Sequence, residues 1–297
     1  MNMTASAMFL AILPEIALVV LAAVLIILGM LKRDRTNRLI GCVTAGGMLL
    51  IIGLAFLFSR PGAQGALIWG GMLRQDSAAF LFRFLFLAGG ALTAIFSCTE
   101  INIRRRPEFY ILLVISTLGM SLMAAAADLI MLFLSIETAS IPLYVMAGIK
   151  IKETRSVEAG LKYFLFGAMS SAILVYGFSL LYGFAGTTQI YDLASGVAVQ
   201  GVPLAALVIA IVFVLAGFAF KISAAPFHFW APDVYEGAPT SVTGFLSTVS
   251  KAAGFAALMR VLLILFAAEH AQVWQSLVAA LALASMFTGN LIAIPQK

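Results

Sequence analysis

Three ionisable residues lie within long apolar stretches and are the first candidates for chemistry. Glu137 is nine residues after Asp128 and thirteen before Lys150, Lys251 is the eleventh residue of an apolar run, and Lys221 follows another. An ionised group at the bilayer centre costs about 2.5–3.5 kcal/mol on insertion scales, and such residues usually face a polar interior. We therefore predict ion or proton transfer for Glu137 and Lys251. The alternative for Glu137 is a structural carboxylate bonded to neighbouring hydroxyl groups.

A helix break is predicted just after Lys221. Pro226 lacks a backbone donor and clashes with the preceding turn. A broken helix at membrane depth is tolerated only where it is buried in protein or lines a cavity, and transporters build ion sites at such breaks. From its position alone, Lys221 could be either an ordinary lysine at the membrane interface or a residue of an ion site. His228 lies beside the break and is a candidate proton relay, although a lone histidine is more often structural.

Three further charges lie nearer the ends of apolar runs. Arg83 and Arg260 are interpreted as structural anchors. Lys162 is interpreted as a flanking lysine whose long stem lets its ammonium reach water. These positions alone predict no chemistry.

The composition indicates a membrane protein. Hydrophobic residues make up 63% of the 297 positions and charged residues 10%, whereas a soluble domain has about 25% charged residues. The net charge of +5 comes from short basic runs between apolar stretches. That pattern indicates membrane topology and does not favour nucleic-acid binding.

The sequence supports neither a soluble enzyme nor a bound cofactor. Cys42 and Cys98 lie far apart at apolar positions, which excludes a disulfide framework and the usual zinc and iron–sulfur spacings. The sequence has no phosphate-binding loop, dinucleotide fingerprint or serine-hydrolase pattern. We therefore expect no cofactor and no metal on this chain.

The apolar runs predict an all-α polytopic membrane protein with about nine transmembrane helices and a broken helix near 221–230. A crossing needs about 20 apolar residues. The spans are expected near 7–31, 38–58, 77–98, 108–126, 128–149, 157–183, 203–223, 240–267 and 273–294. The first run is too long for a signal-peptide core, so we interpret it as a membrane helix. A short hairpin is possible in the glycine-rich segment 59–76, and 184–202 is loop-like.

The basic residues predict the orientation. Loops expected inside the cell contain ten of them: Lys32, Arg33, Arg35, Arg38, Arg104, Arg105, Arg106, Lys150, Lys152 and Arg155. Loops expected outside contain only Arg60 and Arg74. Because basic residues accumulate in cytoplasmic loops, the N-terminus is predicted to lie outside. The same bias requires a tight helical hairpin turning near 124–128.

One stretch, 220–240, is specific enough to identify a family; it reads FKISAAPFHFWAPDVYEGAPT. It resembles the signature of the antiporter-like membrane subunits of NADH–quinone oxidoreductase, respiratory complex I. The ending VYEGAPT and the following SKAA at 250–253 are most similar to the subunit N family. Further similar blocks are SIE at 135–137 with PLY at 142–144, and LKYF at 161–164 with YG at 182–183.

This resemblance implies a fold of three helices followed by two inverted five-helix repeats. The expected division is an N-terminal region at 1–106, a first repeat at 107–267 and the start of a second at 268–297. It implies a proton path through Glu137, Lys221 and Lys251, with hydrated links to the surfaces near His228 and Lys162. The family's chains are considerably longer, so the sequence is interpreted as a fragment or the product of a truncated gene.

The resemblance also implies partners and a location. The chain would be a multi-pass protein of the cell inner membrane, in contact with lipid and with other membrane-arm subunits. NADH, FMN, iron–sulfur clusters and quinone would belong to partner subunits, and their redox chemistry would drive proton transfer. A sodium/proton antiporter subunit and a non-transporting assembly or scaffold protein are the alternatives.

Overall fold

Nine helices are long and apolar enough to cross a membrane in the computed structural model, which describes residues 4–31, 37–62, 64–100, 103–104, 106–193, 202–265 and 271–295. They are Leu13–Leu31, Arg38–Phe58, Ser77–Ser97, Pro107–Ala125, Leu129–Ala147, Thr154–Ala185, Leu204–Ile222, Thr240–Ile264 and Gln272–Ala293. The predicted all-α polytopic fold is therefore confirmed.

The described helices are α1 (Ala5–Ala11), α2 (Leu13–Leu31), α3 (Asn37–Phe58), α4 (Ser77–Ser97), α5 (Pro107–Ala125), α6 (Leu129–Ala147), α7 (Thr154–Ala185), α8 (Leu204–Ile222), α9 (Trp230–Gly237), α10 (Thr240–Ser247), α11 (Val249–Arg260) and α12 (Ala271–Ala293). Between α3 and α4, strands β1 (Ala66–Ile68) and β2 (Leu73–Gln75) pair antiparallel. The hairpin that the sequence allowed in 59–76 is thus present.

Two predicted spans are divided into shorter helices. The run 7–31 splits at Ile12, two residues before Pro14, whose ring is incompatible with the carbonyl of the preceding turn in a continuous helix. In 240–267, Thr248 separates α10 from α11, and a π-helix (Val261–Leu265) follows α11. Residues 266 and 267 lie outside the described residues, as do the basic residues 32, 33, 35 and 105 and part of the predicted loop 184–202.

Helix α5 is the centre of the bundle, because α2, α3, α4, α6 and α11 all pack against it. It forms the predicted hairpin with α6: α5 ends at Ala125, and Asp128 caps α6 by accepting hydrogen bonds from the amides of Ile130 and Met131 at 2.8 and 3.2 Å. Gly119 allows the two helices to touch, since a Cβ there would lie 2.3 Å from the Ala139 amide nitrogen.

The last described helix, α12, lies at the edge of the bundle. It packs against α8, and the half-buried Val273, Leu277 and Leu281 face the core. The residues of its most apolar stretch are not buried inside the bundle. Most of its surface is therefore free to contact lipid or another chain.

Candidate functional site

Helix α6 places Glu137, Ser140 and Tyr144 on one face, because residues three and four apart are neighbours on a helix surface. The Glu137 carboxylate is half-buried and accepts a hydrogen bond from the Ser171 hydroxyl of α7, with Oγ and Oε1 2.6 Å apart. Ser140 donates to the carbonyl of Ile136 at 2.7 Å, so its lone pairs remain available to another donor. The result is a polar stripe on a largely apolar helix.

Lys221 reaches this stripe from the last turn of α8. Its Nζ donates to Ser140 Oγ at 2.8 Å and lies 3.5 Å from the Tyr144 hydroxyl oxygen. Among the described residues, the Lys221 ammonium and the Glu137 carboxylate form no ion pair. The Lys221 ammonium instead bonds to Ser140, one turn after Glu137.

Aromatic rings enclose the Lys221 side of the site. The rings of Tyr144 and Tyr163 meet edge to face at 4.7 Å, and Tyr163 stacks on Trp230 at 4.4 Å. Gly167 makes room for this arrangement, since a Cβ there would lie 2.2 Å from the Tyr144 hydroxyl oxygen. The wall excludes bulk water from one side of the lysine.

The predicted helix break supplies the oxygen atoms that contact Lys251. Helix α8 ends at Ile222, the residue whose carbonyl Pro226 would meet in a continuous helix, and Ser223 has a left-handed φ of 55°. The Lys251 Nζ of α11 lies 3.4 Å from the Lys221 carbonyl oxygen and contacts the Ser223 hydroxyl. The carbonyl end of a helix favours a cation. One short segment therefore joins Lys221 to Lys251.

Lys251 also lies against aromatic faces. Its Nζ is 4.6 Å from the centroid of the Trp230 ring and 6.0 Å from that of Tyr235. A lysine ammonium over such rings is attracted by their negative faces. Trp230 is therefore part of the aromatic surroundings of both Lys221 and Lys251.

His228 has a different environment. Its ring packs on Phe229 with centroids 4.7 Å apart, and both ring nitrogens are buried without a hydrogen-bond partner among the described residues. Direct contacts therefore do not connect His228 to the lysines. A buried polar group of this kind requires an explanation such as water or a proton-transfer role.

Lys162 belongs to a charged cluster at the surface. Its ammonium pairs with Glu158 at 2.6 Å and with Asp233 of α9 at 2.5 Å, and beside it Arg155 pairs with Glu236 at 3.0 Å. These side chains line a cavity of about 200 Å³. The interpretation of Lys162 as a lysine whose head reaches water is consistent with its 36% exposed side chain.

Two buried arginines lie away from the lysines. Arg260 donates to Asp76 and to the Tyr191 hydroxyl, both at 3.0 Å. Arg83 pairs with Glu15 at 2.8 Å, and both side chains are almost fully buried. Both arginines therefore act as the anchors that the sequence suggested. Glu15 was not predicted, although a carboxylate within the first apolar run was a signal that could have identified it.

The family described as NADH:quinone oxidoreductase/Mrp antiporter, TM matches residues 126–297. Subunit N of NADH-quinone oxidoreductase from Rhodospirillum rubrum is 42% identical over 286 residues, covering 96% of this chain and 58% of that protein. The subunit N from Moorella thermoacetica is 43% identical, with 95% and 58% covered.

Solved structures show the same architecture. A chain of respiratory complex I from Thermus thermophilus is 32% identical with a TM-score of 0.78, covering 96% of this chain and 59% of that one. A chain of an archaeal membrane-bound sulfane sulfur reductase shares the fold at 24% identity with a TM-score of 0.80, covering 99% and 60%. The chain spans about 58% of the length of the two relatives.

Proposed function

Because this chain belongs to the NADH:quinone oxidoreductase/Mrp antiporter transmembrane family, we propose that it is a proton-translocating membrane-arm subunit, subunit N, of an NADH–quinone oxidoreductase. One observation carries the proposal: a row of polar contacts links α6, α7, α8 and α11 within the apolar bundle. Ser171 contacts Glu137, Lys221 contacts Ser140 one turn away, and Lys251 contacts the carbonyl of Lys221. Charged groups held at such cost inside a membrane usually serve ion or proton transfer.

In the proposed mechanism, Lys221 carries a proton between its two neighbours. The carboxylate of Glu137, one turn from Ser140, favours the protonated form of Lys221. When Glu137 moves or is neutralised, the proton passes toward Lys251, whose ammonium is held by the Lys221 carbonyl and the Ser223 hydroxyl. Lysine suits this role better than arginine, because arginine does not release its proton near neutral pH.

His228 and Lys162 are proposed to link this row to water. His228 lies at the break, and its ring nitrogens have no hydrogen-bond partner in the described part of the chain, whereas Lys162 lies in the exposed charged cluster. Histidine changes its charge near physiological pH and suits a relay.

The driving energy is proposed to come from partner subunits, which would oxidise NADH and reduce quinone with FMN and iron–sulfur clusters. The division into 1–106, 107–267 and 268–297 remains part of the proposal, and the light packing of α12 against α8 supports its second boundary. We also propose an inner-membrane location with the N-terminus outside. The exposed positions of Arg38 and Lys152 at helix ends are compatible with cytoplasmic loops there.

The proposal is tested in the assembled, full-length complex reconstituted into vesicles. We expect Glu137→Ala, Lys221→Ala and Lys251→Ala to reduce NADH-driven proton transport by roughly tenfold or more, the scale of about 1.4 kcal/mol. Lys150→Ala is the matched control, because Lys150 pairs only with Glu153 in the described residues, at 3.3 Å near the surface.

Unaltered pumping in an assembled Glu137→Ala complex would contradict the proposal and favour a non-transporting scaffold. Transport that requires sodium ions in the unmodified complex would instead favour a sodium/proton antiporter subunit. The amount of assembled complex is measured for every variant, so that lost transport is not confused with lost assembly.

A further inference from the structure

The backbone of the helix break has one amide that is satisfied from outside the first repeat. Around it, the Ala224 amide donates to the carbonyl of Ala219 and the Phe227 amide to that of Ala224, each at 2.8 Å. The Ala225 amide instead donates to the hydroxyl oxygen of Ser285 at 2.9 Å. Ala225 is almost completely buried. An unpaired amide there would carry the full cost of desolvation.

Ser285 is built to accept this hydrogen bond. It lies on α12, and its own hydroxyl proton is donated to the carbonyl of Leu281 at 2.7 Å. Its lone pairs are therefore directed to another donor, which is the Ala225 amide. A methyl group at this position would leave the amide unpaired, whereas a threonine would retain the oxygen.

The segment held by Ser285 is the one that binds Lys251. Ala225 is two residues from Ser223, whose hydroxyl contacts the Lys251 ammonium together with the Lys221 carbonyl. A shift of Ala225 therefore moves both oxygen acceptors of Lys251. Within the described residues, α9 presents the titratable Tyr235, whose ring centroid lies 6.0 Å from the Lys251 ammonium, and α8 presents the backbone carbonyl of Lys221.

From these contacts we infer that Ser285 is a positioning residue for proton exchange between Lys221 and Lys251. It fixes the break from α12, so that the position of α12 sets the orientation of the two acceptors of Lys251. This inference rests on the proposed proton-transfer function and adds to it a residue outside the first repeat. A partner that packs on the exposed side of α12 and shifts this helix would then also shift the acceptors of Lys251.

The test compares Ser285→Ala, Ser285→Thr and Ser276→Ala in the full-length protein within the assembled complex. Ser276 is a matched control, because it lies on the same helix and also donates to the carbonyl four residues earlier. NADH-driven proton transport is measured across pH and normalised to the amount of complex. We expect Ser285→Ala to lose roughly tenfold in rate, the scale of one lost buried hydrogen bond. Its pH profile should also change, because Lys251 loses oriented acceptors for its protonated form.

Ser285→Thr should keep more than half of the rate and the original pH profile, and Ser276→Ala should match the unmodified protein. If Ser285→Ala assembles poorly, hydrogen exchange of the 223–229 segment in the protein that does assemble provides a second measurement. We expect faster exchange there in Ser285→Ala than in Ser285→Thr.

An unchanged rate and pH profile in Ser285→Ala, or exchange equal to that of Ser285→Thr, would overturn the inference. The proposed function has a separate outcome. If Lys251→Ala and Glu137→Ala lose transport while Ser285→Ala does not, only the role of Ser285 fails. If all three transport protons normally, the proton-transfer function itself fails.

Discussion

Two arginine–carboxylate pairs of similar length have very different exposure to solvent. Arg83 Nε lies 2.8 Å from Glu15 Oε1, with 6% and 7% of the side chains exposed, whereas Arg155 Nη1 lies 3.0 Å from Glu236 Oε1, with 81% and 70% exposed. Removing one partner of a buried pair leaves an uncompensated charge and costs about 3–5 kcal/mol. An exposed pair contributes about 0–1 kcal/mol. Arg83→Met should therefore destabilise the protein severely, and Arg155→Met should not.

The neighbours of Arg83 do not remove this cost. Glu15 Oε1 also accepts a hydrogen bond from Ser121 at 2.6 Å, and Arg83 donates to Ser59 at 2.9 Å. These neutral hydroxyl groups cannot replace the positive charge that balances Glu15. The double variant Glu15→Leu with Arg83→Met should be more stable than Arg83→Met alone, because no buried charge remains unpaired.

The assay is denaturant-induced unfolding of the purified protein in detergent micelles, followed by loss of helical circular dichroism. Free-energy differences are taken from the midpoints at a common slope. Equal midpoints for Arg83→Met and Arg155→Met would refute the reasoning, because exposure would then not control the cost. A double variant less stable than Arg83→Met would refute the assignment of that cost to an unpaired Glu15.

Two further predictions concern packing and orientation. Gly119→Ala should destabilise the protein by about 1–3 kcal/mol, because the added methyl group meets the backbone of α6. Gly53→Ala, where nothing lies within 4 Å, should be neutral or stabilising by up to about 1 kcal/mol, and the same unfolding assay separates the two. In a background without native cysteines, a membrane-impermeant maleimide added to intact cells should label Arg60→Cys and not Lys150→Cys. The reverse labelling would contradict an external N-terminus.

Hydropathy and one proline predict much of the architecture. Each crossing needs its own apolar run, so the number of spans follows from the sequence. The end of α8 at Ile222 follows from Pro226, because the clash of a proline with the carbonyl four residues earlier is local chemistry. The split at Ile12 follows from the same rule applied to Pro14, and it could have been predicted in the same way.

The contacts within the site could be predicted only in part. From position alone the sequence predicts a site role for Glu137 and leaves Lys221 open, and the register of these two residues depends on how α6 and α8 pack. Beside this contact, Gly167 of α7 makes room for the Tyr144 hydroxyl group. The register places Ser140, and not Glu137, against the Lys221 ammonium. Contacts of this kind depend on packing between segments that are distant in the sequence, so no local sequence pattern predicts them.

Helix α7 is longer than a membrane is thick. Its 32 residues correspond to about 48 Å at about 1.5 Å per residue. Even tilted by about 40° it spans about 37 Å, against a hydrocarbon thickness of about 30 Å. The surplus lies at least partly in its first turns, where Glu158 and Lys162 pair with each other and with Asp233. The thickness of the surrounding bilayer therefore affects how much of this charged cluster is hydrated. Lipid chain length is then a variable that acts on the proposed path without any change in sequence.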